Sequence, residues 1–410
     1  VIGTGRYYDR NVGNVIENNH IHHFDAGDTD AASIALNPGS DDTIIRSNVM
    51  HDCSGDGIIV FATSDTPVNE YSRNLVIVDN VFYRGTLPRG ENGIDVKGAD
   101  GLEATGNELY GYEWGAIVIH KGSRNLLFES NVFHDGAGLD AHSSEEDKHV
   151  EDITVRNNLF YNTKHYAIAF SNVHEASVYH NTIANTTGYS IDVWGDGIQG
   201  GDIRNNLVYD SGEANIATGA PFDSVVVGYN AWFDADSDFI APTDIVGSGD
   251  PGFVDAANDD YHLAAASPVR DAGVDVGVTA DFEGDPRPFG NRPDIGADEY
   301  APALCLTATP HDHAIYLRWT EPEGLTVDSY AITYTYGTGG DDARQGPSPV
   351  VGIPPATLVY SLTGMPNYVF YIVTVAARDG GKADLAVSNS VTVMPTDKFV
   401  YLPLVVREAR

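Results

Sequence analysis

The residues best placed to do chemistry gather in one stretch. Between Gly90 and Phe133, in GENGIDVKGADGLEATGNELYGYEWGAIVIHKGSRNLLFESNVF, stand Asp95, Lys97, His120, Lys121 and Arg124. The whole chain has 23 Lys and Arg against 59 Asp and Glu, so this concentration of cations is unusual. Lys97 follows Asp95 by two residues, the spacing that puts both side chains on one face of a strand. An amine and an imidazole side by side can supply a base and a proton donor. Positive charge gathered in an acidic chain matches an anionic ligand, such as a uronic acid carboxylate or a sulfate. An outward lysine on a strand is as often a plain solvated charge, and pairing with Asp95 and His120 is what raises Lys97 above that.

A repeat positions these residues. Asparagines followed at the next or next-but-one position by an apolar residue recur at Asn19, Asn48, Asn80, Asn107, Asn131, Asn158, Asn181, Asn206 and Asn230, at intervals of 29, 32, 27, 24, 27, 23, 25 and 24. Two or three short β-branched runs fill each unit, a period too short for a propeller blade and too strand-rich for helix pairs. The expectation is an all-β chain: a right-handed parallel β-helix over residues 1–300, then a second all-β segment. Inward positions alternate, as in Ile94 and Val96, Ile117 and Ile119, Ile168 and Phe170, Ile191 and Val193. The repeated Asn is expected to adopt the left-handed turn conformation and bond its counterpart in the next coil, a structural ladder rather than a catalytic set. Two long intervals mark excursions, ATSDTPVNEYSR after Phe61 and GAGLDAHSSEEDKH after Asp135. Such loops either wall a groove or are solvated surface.

Stacking the repeats puts Asn37, Phe61, Lys97, His120, Ser171 and Trp194 in one outward column. Ala35, Ile59, Asp95, Val118, Ala169 and Asp192 form the column beside it. Coils rise by about 4.8 Å, so Lys97 and His120 are neighbours. Tyr112, Trp114, Tyr166, Tyr189 and Trp194 are candidates for stacking on sugar rings, although aromatics also pack at solenoid turns. Asp56 and Asp95, with backbones roughly 11 Å apart, are an alternative acid and base for inverting hydrolysis. His20, His22 and His23 lie in the first coil. A tetrahedral zinc site there needs a fourth ligand that the sequence does not identify, so they are read as surface residues.

Bulk properties narrow the partners. The net charge is −36, and residues 1–300 carry 16 Lys and Arg against 49 Asp and Glu. Such a surface repels nucleic acid and anionic membranes, and no run of eighteen apolar residues is present. Cys53 and Cys305 are expected to be free thiols. The opening VIGTG, without Met, is read as a trimmed form of a secreted or cell-surface protein.

Five resemblances follow. The stretch around Lys97 is similar to the β-helical polysaccharide lyases of the alginate lyase and chondroitinase B family. That family carries a catalytic lysine in a "VKS" strand and, one coil on, an arginine in an "LxLRHGNRN" strand. Here IDVKG puts Lys97 in the lysine position, and IVIHKGSRN puts His120 in the arginine position. The resemblance implies β-elimination on an acidic polysaccharide. Lys97 would remove the proton α to the carboxylate, His120 would protonate the leaving oxygen, and Lys121 or Arg124 would neutralise the carboxylate. Asp95, Lys121, Arg124, Tyr112, Trp114 and Trp194 would contact substrate. The family's calcium ligands fall on Asn92 and Gly90, so Glu91 and Asp95 are the nearest candidates for Ca2+. The GEN…K pattern and SGDGIIVFA also echo family-nine pectate lyases, whose second motif needs a lysine where Thr63 stands. The rivals are a non-catalytic carbohydrate-binding or adhesive β-helix and a β-helical glycoside hydrolase.

The segment DPGF…YHL…SPVRDAG…DIGADEY resembles the closing segment of secreted bacterial β-helix proteins, its acidic residues serving as cap and turn groups. Residues 301–396, with LRW around Trp319 and SLTGMPNYVFYIVTVAARD, resemble a fibronectin type III β-sandwich. Residues 397–410, KFVYLPLVVREAR after Asp397, resemble a surface-sorting tail, with a simple final strand as the alternative.

Overall fold

The computed structural model describes residues 10–397, apart from 25–31, 87–89, 146, 214–215, 219, 236–238, 302–303, 305, 323–324, 338–343, 346–349 and 389. Cys305 and the tail from residue 398 lie outside the described residues. The chain divides into two units, residues 1–300 and 301–410.

Among the described residues, the first unit is a solenoid of three parallel sheets, of nine, ten and eight strands. From Val15 to Thr218 each coil contributes one strand to each in turn, and the strands after Thr218 add only to the first two. The coil of the central stretch runs Ala99–Thr105 in sheet I, Glu108–Tyr110 in sheet II and Ile117–Ile119 in sheet III. Short β-rich runs cannot bury two faces alone, and stacking solves this. Inward residues of successive coils, among them Ile94, Val96, Ile117, Ile119, Phe128, Phe133 and Phe160, make one continuous core. Fully burying each such side chain contributes about 1.5–3 kcal/mol.

The asparagine ladder runs the length of the unit. The Asn131 backbone N–H and Nδ2 both donate to Asn158 Oδ1, at 2.9 and 3.0 Å. The same pairing links each asparagine from Asn19 to Asn230, and Asp244 accepts from Asn230 at the end. The left-handed residue is not the ladder asparagine but the one before it: φ is 54° at Ser47, 55° at Asp79, 53° at Ser130 and 60° at Asn205. The turn thus frees the Asn side chain to point inward, where its amide meets backbone carbonyls such as Ala104 O at 2.9 Å.

Two expectations about excursions diverge. Residues 62–71 do form a loop, with a short 3-10 turn at Val68–Glu70. GAGLDAHSSEEDKH, however, contains a full sheet III strand, Leu139–His142, with Leu139 and Ala141 in the core. Only the part after it loops out. The closing segment spans residues 250–300. It runs back along the asparagine corner, where Asn205 Nδ2 donates to Val274 O (2.7 Å), Thr182 Oγ1 accepts from Ala297 N (2.9 Å) and Asn157 Nδ2 donates to Ala280 O (2.8 Å). Its acidic residues accept backbone N–H bonds: Asp250 from Phe253, Asp294 from Asp271 and Tyr300, Asp298 from Leu263, Glu299 from Phe289.

Among the described residues, every strand pairing of the second unit is antiparallel. Leu306–His311, Ala314–Trp319 and Val359–Thr363 form one sheet, and Ser329–Gly337 pairs along its length with Phe370–Arg378 in the other. Trp319 is buried edge-on to Tyr330, with ring centroids 5.3 Å apart.

Candidate functional site

The site is built on the outward face of sheet III. Register aligns Asp95 with Val118, Val118 with Asp140, Asp140 with Ala169, and Ala169 with Asp192. Two residues further along each strand, a second column holds Lys97, His120, His142, Ser171 and Trp194. Backbone bonds Lys97 N to Val60 O and His120 N to Val96 O, both 2.8 Å, carry the ladder through that column.

Asp95 is the hub. It is only 2% exposed, with Oδ2 3.1 Å from Lys97 Nζ and Oδ1 3.6 Å from His120 Nε2. Lys97 therefore stands in an ion pair, and His120 shares its carboxylate across one coil. Burial, followed by His142, Lys97 and Lys121, drives His120 down to about 3, so its imidazole is neutral. The His142 ring meets His120 edge-on at 4.4 Å, and His142 Nδ1 lies 3.1 Å from Asp140 Oδ2. Burial, then Asp140 and Glu213, pushes the Asp192 carboxyl up. The face is thus of mixed charge, with Asp95, Asp140 and Asp192 interleaved among the cations, and not the positive pocket expected from composition.

The expected site residues divide. Lys97, His120 and Asp95 are together. Lys121 occupies a left-handed turn (φ 55°) where its carbonyl accepts the Tyr71 hydroxyl, and its charge is felt at His120. Arg124 belongs to sheet I, with Nη1 3.8 Å from Glu151 Oε2. Its guanidinium serves that contact, which argues against its pairing with a substrate carboxylate beside Lys97. Tyr112 is 4% exposed and part of the core, so it presents no ring face to a sugar. Trp114 and Trp194 are 68% and 42% exposed. Trp114 stacks on His165 (5.1 Å, 7°), and Trp194 lies 5.6 Å from His142. Tyr166 donates its hydroxyl to Trp114 O and sits 3.5 Å from Asp140 Oδ2.

Asp56 is withdrawn from solvent, at 1% exposure. Asn92 Nδ2 donates to its Oδ1 at 3.1 Å while Oδ2 has no hydrogen-bond partner. Burial, then Asp95 and Glu91, raises it to about 8. A carboxyl so placed cannot reach a glycosidic oxygen, which removes Asp56 from the expected hydrolase pair. Among the described residues, no third imidazole or carboxylate joins Glu91 and Asp95 in a close ligand group. The Lys97 ammonium occupies the Asp95 carboxylate, so these residues do not fit Ca2+.

Sequence reasoning missed Asp140 and His142 because their strand lay inside a polar run. The signal was present: LDAH alternates as IVIH does, with Leu139 and Ala141 in the inward positions of Ile117 and Ile119. Beside them the two excursions join. Ser64 Oγ donates to Glu145 Oε1 at 2.7 Å, and Lys148 Nζ donates to Ser64 O. These loops follow Phe61 and His142 directly, so they bound the end of the second column. A cavity of about 380 Å³ opens beside Asp192 and Tyr189, lined also by Lys164, Thr187 and Glu213. A larger one, about 490 Å³, lies on sheet I among Asn74, Val76, Glu103, Leu127 and Thr154. No basic or imidazole group lines it, so the chemistry is assigned to sheet III.

A family model described as a right handed beta helix region matches residues 70–208. No curated protein matches the chain. Among solved structures, the chain is similar to PfbA, a surface adhesin of Streptococcus pneumoniae, at 12% identity and a TM-score of 0.44, over 56% of this chain and 61% of the adhesin. It is similar to the pectate lyase Pel9A at 14% identity and a TM-score of 0.42, over 64% of this chain and 69% of that one. The FN5 domain of Drosophila Lar matches over 24% of this chain and 100% of its own, at 22% identity and a TM-score of 0.20. Likeness at this level carries no substrate or activity. What the family model and the three parallel sheets together establish is a right-handed parallel β-helix.

Proposed function

We propose that this protein is a secreted polysaccharide lyase that cleaves a uronic-acid glycan by β-elimination on the outward face of sheet III. The observation that carries the reading is Asp95, buried and shared between Lys97 and His120 of adjacent coils. The roles are exchanged relative to the family resemblance. His120, neutral through burial, is the base that takes the proton α to the carboxylate, and Asp95, 3.6 Å from its Nε2, offsets that low basicity by stabilising the imidazolium as it forms. Those electrons form the ring double bond as the C–O bond to the leaving sugar breaks. Lys97, an ammonium through its ion pair, gives its proton to the departing oxygen. Lys121, whose charge is felt at His120, is the cation left to offset the carboxylate in the carbanion-like transition state. Asp95 orients both groups, and Trp114 and Trp194 offer ring faces along the sugar chain.

One observation favours glycoside hydrolysis instead. Asp140 and Asp192 stand in one column two coils apart, so their backbones are separated by roughly 9.6 Å. That suits the ~6.5–9.5 Å between carboxyls of an inverting pair, with the raised Asp192 as acid.

The test is ultraviolet absorbance of unsaturated uronate, alongside a reducing-end assay, on alginate, polygalacturonate and chondroitin sulfate, with calcium and with chelator. Absorbance that rises and is abolished by His120→Ala supports elimination. Reducing ends without absorbance overturn it in favour of Asp140 and Asp192. Binding without either product makes the chain a carbohydrate-binding surface protein. In the same reading, residues 301–396 are a fibronectin type III-like module that tethers the solenoid at a surface.

A further inference from the structure

The closing segment brings together side chains that the glycan site does not use. His262 stands on strand Asp260–Leu263, Glu283 follows the bend at Asp281, and Asp298 lies in the run to Tyr300. One ligand atom from each of His262, Glu283 and Asp298 lies within 4.8 Å of the other two. The three are distant along the chain, so backbone bonds must bring them together. Phe282 N donates to Ala297 O at 3.1 Å, and the Asp281 carboxylate accepts from Glu283 N and Glu299 N, both at 3.0 Å. These bonds set Glu283 beside Asp298, and the Phe282 ring meets His262 at 5.6 Å.

The arrangement has the features of a ligand set. Asp260 Oδ1 lies 2.6 Å from His262 Nδ1, which keeps a proton on Nδ1 and aims the Nε2 lone pair the other way, the carboxylate–histidine relay behind bound metals. Nε2 faces Glu283 Oε2 at 3.0 Å. A nitrogen and an oxygen on one ion stand roughly 2.9–3.4 Å apart, given bonds of ~2.0–2.2 Å, so an ion fits against both with little movement. Asp298 is only 7% exposed. Among the described residues its carboxylate accepts one hydrogen bond, from Leu263 N to Oδ2 at 2.7 Å, and lone pairs remain for an ion. Asp260, Glu283 and Asp298 thus surround a single imidazole, whose own protonation offsets one carboxylate where a divalent cation offsets two. Glu283 is exposed, which leaves a fourth position open to water.

We infer that His262, Glu283 and Asp298 bind one Zn2+ ion, with Asp260 as the positioning residue behind His262. An imidazole with two carboxylates suits zinc, whereas Ca2+ and Mg2+ take oxygen ligands. The ion has a structural task. Among the described residues of 250–300 the strands are Phe253–Asp255 and Asp260–Leu263 alone, so most of the segment is turn and loop. A metal clip that closes such loops restricts the unfolded chain, and its binding energy adds to folding.

The full chain, stripped with chelator, is titrated with ZnCl2 by calorimetry at neutral pH, with CaCl2 as control. One equivalent of Zn2+ is expected, bound at least about tenfold more weakly by His262→Gln and by Glu283→Gln. His22→Gln, in the exposed histidines of the first coil, is expected to bind as the parent does. Glu283 is exposed, so its variant keeps the fold, which circular dichroism checks. Zinc raises the Tm of the parent and leaves that of Glu283→Gln in place. No zinc binding, binding that both site variants retain, binding lost only in His22→Gln, or Ca2+ bound as tightly as Zn2+ overturns the inference.

Discussion

Asp95 holds Lys97 at 3.1 Å from a position almost closed to water. The pair couples stability to chemistry, because neither partner is comfortable alone. Lys97→Met leaves a buried carboxylate without its ammonium and is expected to cost about 3 kcal/mol. Asp95→Asn with Lys97→Met recovers most of that. Urea denaturation of the two single variants and the double one measures the coupling.

Activity is expected to tolerate acid unusually well. With His120 at about 3 against an ordinary 6.5, its imidazole stays unprotonated as pH falls through the usual histidine range. The acid limb of kcat/KM for glycan cleavage therefore falls below that range. Stability behaves otherwise. Between the two values the unfolded chain binds a proton that the folded chain refuses, so stability declines as pH falls through this window. His120→Gln flattens that decline, and a limb of kcat/KM at the ordinary histidine value overturns the assignment.

Asp56 acts in the opposite sense. Its folded value of about 8 lies above the ordinary 3.8, so the folded chain keeps a proton that the unfolded chain releases. Stability contributed by Asp56 is lost as pH rises through that window. Asp56→Asn, which preserves a polar contact for Asn92, is expected to remove the loss. Denaturation midpoints at mildly acidic and mildly alkaline pH provide the comparison.

The aromatic residues separate by burial. Tyr112→Ala opens a cavity in the core and is expected to cost about 3–5 kcal/mol, with activity falling only through unfolding. Trp194→Ala removes a half-exposed ring and leaves the thermal midpoint in place. It raises KM for long glycans, and an unchanged KM would take Trp194 out of the site.

The ladder should be intolerant of change. Asn131 is fully buried and serves Asn107, Ala104 and Asn158. Asn131→Ala strands those groups at roughly 1–3 kcal/mol each. Asn131→Asp keeps the acceptor but not the donors, so it also lowers the urea midpoint.

The sequence by itself determined the coil, because a side chain that recurs once per turn has only one place to stand. Asn131 and its counterparts, the inward pairs such as Ile117 and Ile119, and Asp95 beside Lys97 were all legible from spacing. Spacing is silent where coil length varies. Leu139–His142 sits in a coil lengthened by its following loop, and a one-residue slip would have turned Asp140 and His142 inward. Only backbone pairing with Ile117–Ile119 decided their face. The protonation of His120 was equally out of reach. Its imidazole is neutral because stacking buries it and brings up His142, Lys97 and Lys121. Residues distant along the chain become neighbours through the coil rise, and their summed field exists only in the folded state.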